Sequence, residues 1–321
     1  MSVAELLTDF ADGITAVDVL YVRPGVAASH LIKHGGRGAF VDTGTNSSVP
    51  NLLQALFARG LTPDAIDYVF LTHVHLDHAG GAGLLMKSLP NARAVVHPRG
   101  VRHLADPSKL IAGSIEVYGE QVFRELYGDL VPIPVERMLI AEEGMRVSLA
   151  GRNFELIHTP GHALHHYALI DHDARAIFTG DNFGVSYRDF DTRRGEFIFP
   201  TTTPVQFDPR AMHATIDRLM SYRPRAMYLT HYSRVTDLAR LALDLHAAVE
   251  AFVEIARRSH GKPGRGLLIR RDLVSWFDSA LDLHEFKGDA SRRHELLEND
   301  IELNSQGLEV WLDRSEAARS G

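Results

Sequence analysis

The sequence predicts an α/β fold followed by a helical C-terminal extension. Short apolar segments rich in strand-forming residues alternate with amphipathic helical segments over the first 235 residues or so. From there almost to the end, the hydrophobic period is helical. In addition, histidines and aspartates recur where predicted strands end, and loops that follow strands commonly carry functional side chains. The three observations together predict a polar site at one edge of a β-rich domain.

The pattern over residues 14–97 predicts five strands and two helices. A glycine-rich turn at residues 34–38 joins two of the strands, Pro50 opens the first helix and Gly60 ends it. The fourth strand continues directly into Thr72 and His73. The predicted strands are residues 14–22, 30–33, 39–42, 66–71 and 93–97, and the predicted helices are residues 50–59 and 81–88.

The rest of the chain begins with a predicted inserted helix at residues 108–128, followed by a link that contains Pro132 and Pro134. Glycines and a proline at residues 261–266 mark a candidate boundary, so we predict a main domain over residues 1–261 and a helical extension over residues 262–321. Further strands are predicted at residues 138–140, 145–149, 152–157, 166–171, 175–179 and 226–229, with a helix at residues 209–221.

The composition is that of a folded globular protein and excludes several classes of function. Of 321 residues, 45% are hydrophobic and 23% are charged, and the net charge of −7 disfavours a general nucleic-acid-binding protein. Because neither a membrane span nor a signal peptide is recognisable, we expect a cytoplasmic protein. The chain has no cysteine, which excludes disulfides, thiolate ligands and thiol nucleophiles, but it has 18 histidines.

The densest polar feature is the run from Thr72 to His78, T-H-V-H-L-D-H, which follows an apolar strand. If the strand ends at Thr72, loop backbone follows, and a loop can direct neighbouring side chains at one point. His73 and His75 can then hold one ion, while Asp77 and His78 face a second. A helix would instead space its ligands at i and i+4. A solvated histidine loop is the alternative, but it leaves the preceding apolar strand unexplained.

Three more residues with ligand-type side chains, His162, Asp181 and His231, follow predicted strands elsewhere in the chain. Each by itself is an ordinary polar residue at a strand exit. Together with the dense run they supply five imidazoles and two carboxylates, and such nitrogen and oxygen donors suit zinc, iron or manganese. The pattern therefore predicts a metal site.

The complete set resembles the signature of the metallo-β-lactamase-fold superfamily, H-x-H-x-D-H followed by a distal His, Asp and His. The resemblance covers roughly residues 14–235 and is similar to the glyoxalase II and lactonase branches. It implies a four-layer αββα sandwich, with the catalytic domain over residues 1–261 and two metal ions at one edge of the sheets. It also implies that Asp42, after an early strand, orients the ligand loop. The implied ligands are His73, His75 and His162 for the first ion and Asp77, His78 and His231 for the second, with Asp181 bridging.

Two divalent ions in such a site lower the pKa of a bound water from about 15.7 to about 7, so a nucleophile exists at neutral pH without serine or cysteine. We therefore expect a dinuclear metal-dependent hydrolase in which a metal-bridging hydroxide, beside Asp77, attacks an ester, thioester, lactone or related acyl substrate. Zn²⁺ is the first expectation for both ions, with iron or manganese as alternatives. The expected partner is a small-molecule substrate rather than a nucleic acid or a membrane, and a homodimer is compatible with the sequence.

Other classes of function stay open. Non-haem iron oxygenases of the sulfur dioxygenase type, and oxygen-binding diiron proteins, share this fold and a similar ligand motif; a non-catalytic metal-binding module is a third alternative. β-Lactamases with a thiolate ligand need a cysteine, other β-lactamases lack the bridging aspartate, and nucleic-acid-processing members carry a large insertion before the last ligands. The interval from Asp181 to His231 is too short for that insertion.

Three residues are weaker candidates for a substrate pocket. His165 follows His162 closely and is expected to line the pocket. Tyr187 and Tyr232 have hydroxyls that could donate to a developing oxyanion. The helices of the C-terminal extension are expected to cover the core or to form a dimer contact.

Overall fold

The computed structural model describes residues 3–202 and 205–320, which form two compact units. The β-strands belong almost entirely to the first unit, and the longest helices belong to the second. The first unit comprises Met1–His158, His165–Gly180 and Pro224–Arg234, and the second comprises Thr159–Leu164, Asp181–Arg223 and Val235–Gly321. The predicted division at residue 261 stays a prediction.

The first sheet arranges its seven described strands in the order in which they occur in the chain. The pairings from β1 to β4 are antiparallel and those from β4 to β7 are parallel. Parallel pairing brings the carboxyl ends of β4, β5 and β6 to one edge, which is where Asp42 and Thr72 follow. The strands are β1 Leu7–Asp9, β2 Ile14–Asp18, β3 Ala28–His34, β4 Arg37–Val41, β5 Ile66–Leu71, β6 Arg93–Val96 and β7 Met138–Ile140.

The second sheet has the order β13-β12-β11-β10-β9-β8. The pairings from β8 to β11 are antiparallel, whereas β11 and β12 are parallel, so the residues that follow these two strands start from the same edge. The strands are β8 Met145–Leu149, β9 Arg152–His158, β10 Tyr167–Asp171, β11 Ala176–Gly180, β12 Ala226–Leu229 and β13 Ser233–Val235.

Both sheets contribute to one apolar core within the first unit. Phe70 of β5 contacts Phe154 of β9 with ring centroids 5.9 Å apart, and the rings of Phe178 and Tyr228 stack at 5.0 Å. These aromatic side chains lie in a single cluster of buried residues drawn from both sheets. Packing of this kind, with side chains of two facing sheets in one core, makes the first unit a β-sandwich.

Short helices complete the first unit: α1 Val49–Ala58, α2 Leu76–Ala79, α3 Ala82–Ser88, α4 Val101–Ala105, α5 Ser108–Tyr118 and α6 Glu120–Tyr127. Pro50 lies in the first turn of α1, and Gly60 follows its end with a positive φ of 65°, as the sequence predicts. The single helix expected at residues 108–128 is two helices, because Gly119 takes a φ of 80° and a ψ of 155° that a helix cannot continue.

The second unit contains α7 Pro209–Ser221, α8 Leu238–Ser259, α9 Arg265–Leu283 and α10 Ala290–Ser320. Asp208 caps α7, because its Oδ1 accepts hydrogen bonds from the amides of Arg210 and Ala211 at 2.9 and 3.1 Å. The helical C-terminal extension is therefore present, as α9 and α10. Within the described chain, no helix is both long enough and apolar enough to span a membrane.

Candidate metal centre

The dense histidine run begins where β5 ends. His73 is fully buried, and its Nε2 lies 2.9 Å from Nδ1 of the partly exposed His75. The centroids of the two rings are 4.4 Å apart. Two imidazoles from alternate residues thus converge, as the prediction of a loop after Thr72 requires.

The loop is shorter than the sequence suggests, because Leu76–Ala79 forms the single helical turn α2. This turn presents Asp77 and His78 next to each other, and Asp77 Oδ2 lies 3.5 Å from His78 Nε2. His231, the second residue after β12, places its Nε2 3.2 Å from the same Asp77 oxygen. The ligand-type atoms of Asp77, His78 and His231 all lie within 4.8 Å of one another.

The carboxylate of Asp42 connects the segments that carry these ligand-type residues. Its carboxylate is 1% exposed and accepts hydrogen bonds from the Thr72 amide at 2.9 Å, from Nδ1 of His78 at 2.9 Å and from the Thr230 hydroxyl at 2.8 Å. The Thr72 hydroxyl donates to it as well, at 2.8 Å. One carboxylate therefore fixes the end of β5, the α2 turn and the residue before His231. Its placement is what the predicted orienting role requires.

The two imidazoles nearest Asp77 have the second-nitrogen contacts typical of metal ligands. His78 donates its Nδ1 proton to Asp42, and His231 donates its Nδ1 proton to the carbonyl of Val26 at 2.8 Å. In both rings Nε2 is left to face Asp77. A metal-binding histidine almost always donates its other ring proton to a carboxylate or carbonyl in this way. Two nitrogens and one carboxylate oxygen fit a divalent ion such as zinc, iron or manganese.

The charge of Asp77 fits a ligand as well. Burial raises the pKa of Asp77, but the imidazoles of His78 and His231 outweigh this and hold the pKa well below its usual range. The carboxyl group is therefore ionised at neutral pH, which is the form that binds a cation.

In the second unit, His162 and Asp181 lie side by side, with His162 Nε2 3.5 Å from Asp181 Oδ2. Both are buried, and Nδ1 of His162 lies 3.3 Å from the carbonyl oxygen of Thr201. As in His78 and His231, Nδ1 therefore contacts an oxygen while Nε2 faces an aspartate. Gly161 has a φ of 142°, and a Cβ there would lie 2.6 Å from Cα of Met212, so only glycine fits before this histidine.

Several residues that position the ligand-type side chains were not predicted. Asn182 accepts a hydrogen bond from the His162 amide at 3.0 Å and donates to the carbonyl of Thr159 at 2.6 Å, so it fixes the loop before and at His162. Thr72 and Thr230 both donate to Asp42. A signal for the threonines was in the sequence, because the segments ending Leu71-Thr72-His73 and Leu229-Thr230-His231 resemble each other.

Among the weaker pocket candidates, His165 lies close to the imidazole group. Its ring centroid is 5.4 Å from that of His75 and 6.5 Å from that of His103 on α4, a residue that the sequence did not single out. Tyr187 is buried and directs its hydroxyl at the carboxylate of Asp300 on α10, at 3.1 Å. Tyr232 is partly exposed, immediately after His231.

Comparison with known proteins gives matches over most of the chain. The family model described as the metallo-beta-lactamase superfamily matches residues 22–231. ST1585, a metallo-beta-lactamase fold-containing protein of Sulfurisphaera tokodaii, is 28% identical over 172 residues, which cover 52% of this chain and 61% of that protein. The hydroxyacylglutathione hydrolase of Aeromonas hydrophila is 27% identical over 189 residues, which cover 59% of this chain and 54% of that enzyme. The chain thus spans somewhat more than half the length of these curated relatives.

A solved structure gives the same result for the fold. The crystal structure of ST1585, an archaeal metallo-beta-lactamase superfamily protein from Sulfolobus tokodaii, superposes with a TM-score of 0.64 at 22% identity. The superposition covers 94% of this chain and 99% of that one. This likeness confirms the predicted α/β sandwich fold class with its helical C-terminal extension.

Proposed function

The chain belongs to the metallo-β-lactamase superfamily, and we propose that it is a metal-dependent hydrolase acting on an ester, thioester, lactone or related acyl group of a small molecule. The observation that carries the proposal is the group Asp77, His78 and His231, in which both imidazoles donate Nδ1–H to an oxygen and face one ionised carboxylate with Nε2. Divalent ions bound by such donors would supply an activated water at neutral pH and polarise the carbonyl of the substrate.

We extend this to a dinuclear site on the strength of the motif order of the superfamily. In this proposal His73, His75 and His162 would hold the first ion, Asp77, His78 and His231 would hold the second, and Asp181 would be shared by both. Within each unit the hydrogen bonds support the assignment, because Asp42, Val26 and Thr201 occupy the ring nitrogens that the ions do not need. Zinc is the proposed metal, since imidazole and carboxylate ligands suit it and it brings no redox chemistry.

Asp77 is the proposed catalytic carboxylate. It is ionised and its side chain is 21% exposed, so it is accessible to a water molecule as well as to the imidazoles. An ionised carboxylate only accepts hydrogen bonds, so Asp77 would orient the attacking water through the proton of that water. A related Aeromonas hydrophila enzyme is named for the hydrolysis of hydroxyacylglutathione, and this supports placing thioesters first among substrates to test.

The test combines metal analysis with two activity assays on the purified full chain. We expect the proposed hydrolytic centre to hold close to two equivalents of zinc, and we expect turnover in a panel of thioesters, esters and lactones that Asp77→Asn and Asp181→Ala reduce by at least 100-fold. Asp181→Ala should also lose most of its metal. His294→Gln, a change at an exposed histidine of α10, serves as the control and should keep both metal and turnover. Iron together with oxygen uptake and no turnover of any acyl substrate would overturn the proposal in favour of an oxygenase.

A further inference from the structure

Helices α7 and α8 of the second unit carry a row of four side chains that takes no part in the candidate metal centre. Asp217 and His213 lie four residues apart on α7, and His246 and Glu250 lie four residues apart on α8. Residues with this spacing share a helix face. We call His213 and His246 the inter-helix histidine pair.

The two rings of the pair face each other. Nδ1 of His213 lies 2.6 Å from Nδ1 of His246, and the two ring planes are nearly parallel, with an interplanar angle of 15° and centroids 4.9 Å apart. Each ring contacts a carboxylate of the opposite helix with its other nitrogen. His213 Nε2 lies 2.9 Å from Glu250 Oε1, and His246 Nε2 lies 3.2 Å from Asp217 Oδ1.

The carboxylate contacts determine what lies between the rings. A carboxylate oxygen accepts hydrogen bonds and does not donate them, so each Nε2 carries the proton of its contact. The lone pairs of the two Nδ1 atoms then point at each other. Two lone pairs at 2.6 Å repel unless a cation lies between them, and that cation is either a shared proton or a metal ion.

We propose that the inter-helix histidine pair binds one divalent transition-metal ion, of the class of Zn²⁺, Ni²⁺ or Cu²⁺, through its two Nδ1 atoms. The arrangement is that of metal-binding histidines in general, in which the second ring nitrogen donates to a carboxylate that fixes the ring and raises its basicity. Glu250 and Asp217 supply that contact here, and their two negative charges match the charge of the ion.

The site is open enough to accept such an ion. The side chains of His213 and His246 are 24% and 26% exposed, so water can complete the coordination. Metal–nitrogen bonds of about 2.0–2.1 Å in tetrahedral geometry require the two nitrogens to stand about 3.3 Å apart. Each ring would therefore withdraw by a few tenths of an ångström, which rotation of a partly exposed side chain provides. The bound ion would join α7 to α8.

This proposal shares no residue with the proposed hydrolytic site, so either can fail without the other. The test is the number of zinc equivalents bound by the full-length protein, measured by elemental analysis of protein and dialysate after equilibrium dialysis against a graded series of Zn²⁺ concentrations. We expect His213→Gln and His246→Gln each to bind one equivalent fewer than the parent, with unchanged acyl hydrolysis. Glutamine is a good helix former, so both helices should persist, and circular dichroism checks this.

A matched control separates the facing pair from an ordinary surface histidine. His294 lies 3.5 Å from Glu298 at the i,i+4 spacing on α10, so it also has a carboxylate neighbour. His294→Gln should bind as many equivalents as the parent. Glu250→Gln should weaken the additional site 10- to 100-fold in a chelator competition. Equal zinc content in the parent and in both pair variants would show that the pair holds only a shared proton, and would overturn the proposal.

Discussion

The hydrogen bonds of Asp42 make a sharp prediction for the change Asp42→Asn. Asparagine has almost the shape of aspartate and tolerates the left-handed backbone found at this position, where φ is 57°. The substitution therefore changes one acceptor oxygen into an NH₂ group with little effect on the backbone. Of the two carboxylate oxygens, Oδ1 accepts from the amide of Thr72, whereas Oδ2 accepts from His78 and Thr230.

Neither orientation of the new amide satisfies all of these donors. If its NH₂ replaces Oδ1, it faces the backbone N–H of Thr72, which cannot become an acceptor. If its NH₂ replaces Oδ2, it faces Nδ1–H of His78, and the conflict is relieved only when the His78 proton moves to Nε2. A protonated Nε2 cannot bind a metal. Loss of such an orienting contact typically weakens metal binding 10- to 100-fold, which is about 1.4–2.7 kcal/mol.

Zinc affinity by chelator competition is the appropriate assay, and ¹⁵N NMR of the imidazoles reports which nitrogen carries the proton. Asp171→Asn is the matched control, because Asp171 is another fully buried carboxylate, ion-paired with Arg152. Asp171 lies at one end of β10, and Tyr167, whose amide donates to the carbonyl of Thr72, lies at the other. At 3.3 Å per residue, Asp171 and Tyr167 are about 13 Å apart along the strand. The control should lower the free energy of unfolding without changing zinc affinity. If Asp42→Asn binds zinc within twofold of the parent, the orienting role is refuted.

Three further predictions concern His30, Gly180 and Asn182. Burial lowers the pKa of His30 to about 3, so below pH 6.5 the unfolded chain binds a proton that the folded chain does not, and the parent loses stability as the pH falls. Between pH 7.5 and 5.0, the free energy of unfolding of His30→Leu should therefore fall by about 2 kcal/mol less than that of the parent, measured by urea titration with EDTA present. An equal loss in both proteins would contradict this. Gly180→Ala places a Cβ against the ring of His166 and should weaken zinc binding at least tenfold, whereas Gly36→Ala, also at positive φ but in open space, should not. Asn182→Ala removes two hydrogen bonds of 3.0 and 2.6 Å to the loop at residues 159–162. It should lower the melting temperature, measured by calorimetry, and weaken zinc binding about tenfold, measured by chelator competition. Unchanged values would show that this loop keeps its conformation without Asn182.

Much of the secondary structure follows from hydrophobic period and from chain breakers. The strands at residues 66–71, 138–140, 145–149 and 226–229 and the helix at residues 209–221 are observed with the predicted bounds. In each of these, apolar side chains recur at the spacing of the element and polar or breaker residues flank it. The fold class could be predicted with them, because the histidine motif follows the strand at residues 66–71 and identifies the superfamily.

The errors have equally local causes. The turn α2 has four residues, too few for any period, so the sequence alone gives no reason to prefer it to loop. Gly119 sits within a run of helix-compatible residues, and only its backbone angles divide α5 from α6. The helix α4, with five residues, is also too short for a recognisable period and is not predicted.

The sequence predicts the ligand-type residues and one supporting residue, Asp42, but not the supporting contacts that Thr72, Thr230 and Asn182 make. His73, His75, Asp77 and His78 are recognisable because they are dense, whereas the partners of Asp42 are separated from it by 30 residues for Thr72 and 188 for Thr230. Only the folded chain reveals which threonine hydroxyls reach one carboxylate. The assignment of the full set of ligands to two ions stays a prediction that the metal analysis tests.

The long sequence separation between Asp42 and Thr230 has a consequence for biosynthesis. The nascent chain carries His73 and His78 early, but Thr230 and His231 leave the ribosome only after 231 − 78 = 153 further residues have been added. Until then the carboxylate of Asp42 lacks one of its donors, and Asp77 lacks one of its two imidazole neighbours. If this group binds the proposed ion, the complete set of donors exists only after β12 and His231 have been synthesised. Truncation before β12 should leave a chain that cannot take up the ion that Asp77, His78 and His231 are proposed to share.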